Sequence, residues 1–274
     1  MSLLGVRGNN MENILTKIAE RTKERVAEER NRTPLNELQR AVDFIVAHTP
    51  PSIFPFEQAL RQPDISFICE IKKASPSKGI IAHDFPYLQI AKDYQAAGAA
   101  AISVLTEPFW FMGSDEYLRQ IAEVVEIPLL RKDFTVDSSM IYEAKILGAS
   151  AVLLICSILD KRELAEYVEI SHEIGLSALV EVHDENEVEM ALGAGARIIG
   201  VNNRDLKTFT VDLSLSERLR SLVPPDIIFV SESGISESAD IQRLREINAH
   251  AALIGESIMR SPDKIAEINR LRGA

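Results

Sequence analysis

FICEIKKASPSKG, residues 67–79, decides how the rest of the chain is read. Phe67, Ile68, Cys69 and Ile71 make an apolar run, yet two charges, Glu70 and Lys72, sit inside it. A buried strand excludes unpaired ions because removing them from water is costly. The run then breaks at Ser75-Pro76-Ser77-Lys78-Gly79, a turn-rich loop that cannot continue a strand. Charges at the end of an apolar strand, immediately ahead of a loop, mark a site. The same arrangement recurs seven times downstream.

Apolar runs at 67–72, 100–105, 127–131, 151–156, 177–182, 197–201, 227–231 and 251–254 read as eight strands. Helical segments lie between them, several closing on glycine where a C-terminal cap belongs: Ala97-Gly98, Leu147-Gly148, Ile174-Gly175 and Ala194-Gly195. Near-continuous hydrophobic strands alternating with helices imply a parallel sheet covered on both faces. Eight such units predict closure into a (β/α)8 TIM barrel. An open dinucleotide-binding sheet would need a glycine fingerprint after its first strand, which is missing. The barrel is expected over 67–274 and a helical N-terminal extension over 1–66, forming one structural domain overall.

In the extension, residues 1–10 show no periodicity and read as a flexible leader, with Met11 an alternative start. Residues 12–30 carry an amphipathic pattern through Ile14, Leu15, Ile18 and Val26. Thr33-Pro34 reads as N-cap and first position of a second helix, ended by Pro50-Pro51. Phe54, Phe56 and Leu60 predict a short third helix packed on the strands that follow.

Composition narrows the function. Among 274 residues, 46% hydrophobic and 26% charged are globular values. No apolar run reaches membrane-spanning length and no signal peptide is present, so a soluble, cytoplasmic protein is expected. Cys69 and Cys156 both lie in apolar runs and read as buried free thiols. The five histidines show no ligand spacing, so no metal is expected. A net charge of −11 disfavours nucleic acid as a partner.

Barrel active sites gather at the C-terminal ends of the strands. Those ends carry Glu70 and Lys72, Thr106-Glu107, Arg131-Lys132-Asp133, Ser157, Glu181, Asn202-Asn203-Arg204, Glu232-Ser233-Gly234 and Gly255-Glu256-Ser257. Some of these have plain structural readings. Arg131 and Asp133 read as an ion pair, Glu107 as a loop cap, His183 as a loop or capping residue, and Lys73 as facing away from Lys72. Phe109-Trp110-Phe111 fits core covering or the wall of a pocket for a flat ring. Ser233-Gly234 and Gly255-Glu256-Ser257 follow strands seven and eight, where such barrels hold phosphate on backbone N–H groups. Ser75 and Ser77 add hydroxyl donors. The residues alone therefore describe an enzyme for a small phosphorylated anion, with lysines and glutamates for acid–base work.

EIKKASPSKG (70–79), LLRKDF (129–134), LVEVHDE (179–185), VNNRDLKTF (201–209), SESGI (231–235) and LIGESIMR (253–260) together resemble indole-3-glycerol phosphate synthase of tryptophan biosynthesis. The resemblance runs from Glu12 to Arg260, extension included. It implies a carboxy-lyase that converts 1-(2-carboxyphenylamino)-1-deoxyribulose 5-phosphate to indole-3-glycerol phosphate, CO₂ and water, with no cofactor. Carried over by motif, Lys132 is the general acid, Glu181 its acid–base partner assisted by Glu70, and Lys72 binds the substrate carboxylate or shares acid duty. Asn202 positions hydroxyls. Arg204, Leu206, Glu232, Ser233, Phe111, Phe134 and Ser75 complete the substrate shell. Gly234, Gly255, Glu256 and Ser257 hold the phosphate, at Glu256 through its N–H, since a serine stands there in some members. The loop EPFWFMGS (107–114) departs from the family in Pro108 and Met112.

The implied partner is a small phosphorylated anion, with no nucleic acid and no membrane, the chain acting as a monomer or weak homo-oligomer. With the sequence ending at Ala274, no fused second barrel of the pathway is expected. Three rivals frame the reading. A phosphoribosylanthranilate isomerase would need a cysteine–aspartate pair, a Schiff-base aldolase would use Lys132 covalently, and a non-catalytic barrel would have no reason to gather these charges.

Overall fold

The computed structural model describes residues 14–49, 54–205 and 208–273. Three helices come first: α1 (Ile14–Arg32), α2 (Leu35–His48) and α3 (Pro55–Leu60). Strand β1 (Ser66–Ile71) follows, then a small antiparallel pair, β2 (Ala74–Ser75) and β3 (Gly79–Ile80), formed by the SPSKG turn. Strands and helices then alternate through α4 (Tyr87–Ala96), β4 (Ala101–Leu105), α5 (Asp115–Ala122), β5 (Leu129–Lys132), α6 (Ser139–Ile146) and β6 (Ala151–Ile155). A 3₁₀ turn at Cys156–Ile158 leads to α7 (Lys161–Glu173), β7 (Ser177–Val182), α8 (Glu185–Gly193) and β8 (Ile198–Asn202). The chain closes with α9 (Ser214–Arg220), β9 (Ile228–Glu232), α10 (Ser238–Glu246), β10 (Ala251–Ile254), α11 (Glu256–Arg260) and α12 (Lys264–Arg272).

β1 pairs with both β4 and β10, and the eight parallel strands close in sequence order. This is the TIM barrel that the alternating pattern predicts. Side chains alternate across a strand, and here that alternation builds two cores. Phe67, Cys69 and Ile71 of β1 face the helices with Ile102, Val152, Val180, Ile199 and Phe229. Ile68, Ala101, Leu130, Leu153, Leu179, Ile198, Val230 and Leu253 fill the barrel interior. One step of two along each strand carries the interior row from these apolar residues to Glu70, Ser103, Lys132, Ile155, Glu181, Gly200, Glu232 and Gly255.

The extension closes both ends. Phe56 and Leu60 of α3 are fully buried with the interior residues. α3 is tied to the strand starts by Arg197–Glu57 (2.8 Å), Ser177 Oγ–Glu57 (3.3 Å) and Ser66 Oγ donating to the Ala59 carbonyl (3.2 Å). Leu15 and Ile18 of α1 join the same interior cluster from the opposite end, beside Phe134 and Ile155. α2 lies against the helical layer, burying Val42 completely.

Three details differ from the sequence reading. The second helix begins at Leu35, not at Pro34: Pro34 holds ψ 147°, so it is the N-cap in place of Thr33. β5 starts at Leu129, since Pro128 has no N–H to give the ladder and enters it only as an acceptor for Ile102 N (3.0 Å). Arg131 and Asp133 do not pair with each other. Arg131 points out of the barrel to Asp115 (2.8 Å), Glu143 (3.3 Å) and the Met140 carbonyl (2.8 Å), while Asp133 binds Arg25 (3.0 Å). Gly98, Gly148, Gly175 and Gly195 all take positive φ at their helix ends, as the cap pattern requires. The leader 1–10, Met11 and Pro50-Pro51 lie outside the described residues.

Candidate active site

A cavity of about 430 Å³ opens at the C-terminal ends of the strands beneath α1. Glu70, Lys72, Ser75, Phe111, Lys132, Phe134, Glu181, Asn202, Arg204, Glu232, Ser233, Gly234, Gly255, Glu256 and Ser257 all line it, with Ile14, Leu15 and Ile18 of α1 as its roof. Leu206 lies outside the described residues. Lys73 is not among the lining residues, whereas its neighbour Lys72 is.

The electrostatic centre is Lys132. Its Nζ donates to Glu232 Oε2 at 2.5 Å and to Glu181 Oε2 at 3.3 Å. Glu181 Oε1 accepts from Asn202 Nδ2 at 3.3 Å. Across the mouth, Lys72 donates to Glu70 Oε1. Two glycines make room for these carboxylates: a Cβ at Gly200 would collide with Glu232 Oε1, and one at Gly255 with Glu70 Oε1. Burial works against the Lys132 ammonium, but Glu232, Glu181 and Glu70 together raise its pKa. Burial pushes Glu232 up to about 7, with the Glu181 charge adding to the rise. Glu181 is buried as deeply, yet Lys132, His183 and Asn202 hold it below the usual carboxylate range. Two carboxylates on one ammonium thus differ in proton affinity, Glu181 being the more readily ionised.

The loop after β4 is shaped by Glu107, whose fully buried carboxylate accepts from the N–H groups of Phe109 (2.9 Å), Trp110 (2.8 Å) and Phe111 (2.9 Å). This is the capping role read from the sequence. It turns Phe111 toward Phe134, ring centroids 6.0 Å apart, to make an apolar wall. Phe109 stays outside, 47% exposed under Arg21 of α1.

At the other end, Ser233 (φ 66°) and Gly234 (φ 84°) turn the chain sharply after β9. Gly255 leads directly into α11. The Glu256 carboxylate pairs with Arg260 (3.2 Å), Lys78 (3.5 Å) and Arg204 (3.8 Å).

Sequence reasoning missed four supports. Asn203 donates to Ser231 Oγ (2.9 Å) and to the Glu232 (2.9 Å) and Ser233 (3.2 Å) carbonyls, fixing the end of β9. Arg25 grips Asp133 and so ties α1 to the residue after Lys132. Gly200 makes the space for Glu232. His183 sits 3.5 Å from Glu181 through Nε2, a nearer approach to the site than a plain capping residue needs. Only the strand-end position of Asn203 and His183 signalled anything in advance.

A parallel eight-stranded barrel with a charged cavity at the C-terminal ends of its strands is the architecture in which barrel enzymes place their active sites. Comparison with known proteins narrows this. A model of the indole-3-glycerol phosphate synthase family matches residues 15–271, and the chain belongs to that family. The indole-3-glycerol phosphate synthase of Ruminiclostridium cellulolyticum is 56% identical over 95% of this chain and 99% of its own length. That of Lachnoclostridium phytofermentans is 48% identical over 94% and 98%. Among solved structures, a 3-hexulose-6-phosphate synthase aligns with TM-score 0.59 over 76% of this chain and 99% of its own. At 16% identity it supports the fold alone.

The isomerase rival fares poorly. Cys69 faces the helical layer, fully buried, and burial pushes its thiol up to about 12, far from any acid–base role in the mouth. Cys156 is likewise a buried free thiol.

Proposed function

We propose that this chain is a carboxy-lyase that closes the indole ring, converting 1-(2-carboxyphenylamino)-1-deoxyribulose 5-phosphate to indole-3-glycerol phosphate, CO₂ and water in the cytoplasm. The observation that carries the reading is the Lys132 ammonium held between Glu181 and Glu232, with the Glu70–Lys72 pair facing the same cavity.

The phosphate would rest on backbone groups at Gly234, Gly255, Glu256 and Ser257, with Ser75 and Ser233 adding hydroxyls. The anthraniloyl ring would lie on the Phe111–Phe134 wall under Leu15 and Ile18. That placement puts the ribulose carbonyl near Lys132 and the ring carboxylate near Lys72. Arg204 and Asn202 would position the sugar hydroxyls.

In the first step the ring carbon bearing the carboxylate attacks the ketone carbon. The C=O pair moves to oxygen, and Lys132 donates a proton there, giving an alcohol. An ammonium that arrives already charged and desolvated stabilises that oxygen most as charge develops on it. The new ring carbon then loses CO₂, and the electrons of the broken bond restore aromaticity, so the chemistry needs no external electron sink. Finally the alcohol leaves as water. A general acid protonates the hydroxyl while a base takes a proton to complete the double bond. Glu181, held ionised, is the base, and Glu70 assists. Glu232, with its raised proton affinity, remains the partner that orients Lys132.

The test is direct. Purified chain mixed with the carboxyphenylamino-deoxyribulose phosphate should produce stoichiometric indole-3-glycerol phosphate and CO₂ without added metal or cofactor. Turnover of a different phosphorylated sugar, with none of this one, would contradict the proposal.

A further inference from the structure

His183 stands outside the cavity lining, yet its ring is directed at a residue inside. It follows β7 two positions after Glu181, so strand alternation returns its side chain to the same side. Glu187 Oε2 takes both the His183 backbone N–H (2.7 Å) and ring Nδ1 (3.1 Å). Glu187 is itself fixed in the first turn of α8, where its N–H is capped by Asp184 Oδ1 at 2.9 Å. With Nδ1 committed as donor to a carboxylate, Nε2 is the nitrogen left to act. It is buried, makes no hydrogen bond among the described residues and lies 3.5 Å from Glu181 Oε1. A capping role would need the backbone bond to Glu187 and nothing more. It leaves the direction of Nε2 unexplained.

We propose that His183, clamped by Glu187, is a positioning residue whose imidazolium holds Glu181 in its ionised form and so sets the pH below which the base is lost. This rests on the reading of Glu181 as an acid–base group. The charged groups around the ring are Glu187 on α8, Glu181 on β7 and Glu232 on β9, all acidic. Lys132 reaches the other oxygen of Glu181 from β5. Burial disfavours the imidazolium, but Glu187 and Glu181 more than offset it and raise the His183 pKa. Reciprocally, His183 follows Lys132 among the charges that lower Glu181. A proton leaving Glu181 therefore leaves a carboxylate flanked by two cations, one from inside the barrel and one from its rim.

The experiment is the pH profile of kcat/KM for wild type, His183→Asn, His183→Gln and Glu187→Gln, with Glu181→Gln as control. Asparagine can still reach Glu187, and glutamine can still reach Glu181, but neither carries charge. In both, the acidic limb should move up by about one pH unit, about a tenfold loss below the limb, with the plateau at higher pH retained. Glu187→Gln keeps a hydrogen bond but withdraws the charge that favours the imidazolium, and should move the limb in the same direction. It decides the matter if the His183 variants melt early. A role in packing alone would lower the whole profile without moving the limb. Limbs that stay at the wild-type pH, with Glu181→Gln inactive, overturn the proposal and leave Glu181 as base. A Glu181→Gln enzyme as active as wild type overturns the acid–base reading itself, and the proposal with it.

Discussion

Lys132 and Glu256 show how one residue's neighbours decide what it does. Lys132 is a cation among three buried carboxylates, which hold its proton in place against the cost of burial. Glu256 is the reverse, a carboxylate among Lys78, Arg204 and Arg260 at the end assigned to phosphate. Its charge opposes an incoming phosphate and competes for the same cations. Glu256→Ser should therefore tighten inorganic phosphate by about 1 kcal/mol, about fivefold, read as a lower inhibition constant and a lower KM. Weaker phosphate binding would mean that Glu256 instead gathers those cations for the ligand. Period-two alternation made Glu70, Lys132, Glu181 and Glu232 legible in the sequence, because each ends an apolar run two residues beyond an interior side chain. The contacts of the supports were not legible, although Asn203 and His183 stood at strand ends. Asn203, Gly200 and the Arg25–Asp133 contact depend on which strand or helix lies alongside, and no local pattern encodes that.

At the scale of elements, α1 and the loop after β4 close the mouth together. Arg25 is 11% exposed and Asp133 1%, and two guanidinium contacts (3.1 and 3.0 Å) join them. Arg25→Met should loosen α1 and remove Leu15 and Ile18 from the roof of the cavity. The expected result is a raised KM with a smaller change in kcat, and a stability loss of about 2 kcal/mol in urea. Gly113, in that same loop, has no space for a side chain: a Cβ would run into the Leu105 carbonyl. Gly113→Ala should shift the Phe111 wall and cost both stability and substrate affinity. α7 carries a different signal. Burial, then Arg197, pushes His172 down to about 4. Since the unfolded ring titrates near 6.5, the unfolded state takes up the proton first as pH falls. The contribution of a neutral His172 is whole above about pH 6.5 and is lost progressively toward pH 4. His172→Leu should flatten the fall in Tm across that window, and an unchanged fall would assign it to other groups. Helix ends were legible where glycine needs positive φ. The start of α2 was not, because a proline serves equally as N-cap or first position.

Over the whole molecule, the barrel separates stability from chemistry. The apolar layers below fill the barrel, and the charged groups proposed for the reaction stand above them, on strands that each pair with two neighbours. α3 seals the lower end and α1 roofs the upper, so Ile14, Leu15 and Ile18 line the cavity together with the strand ends. No described helix is long and apolar enough to cross a membrane. In the proposed mechanism Lys132 delivers the proton that drives ring closure. Such an interaction is strongest in the transition state, so its loss falls on kcat. Steady-state kinetics of Lys132→Met, with far-UV circular dichroism to establish the fold, should show kcat down by about 10²–10⁴-fold and KM little changed. A folded Lys132→Met enzyme with a wild-type kcat would contradict the claim and pass the general-acid role to Lys72.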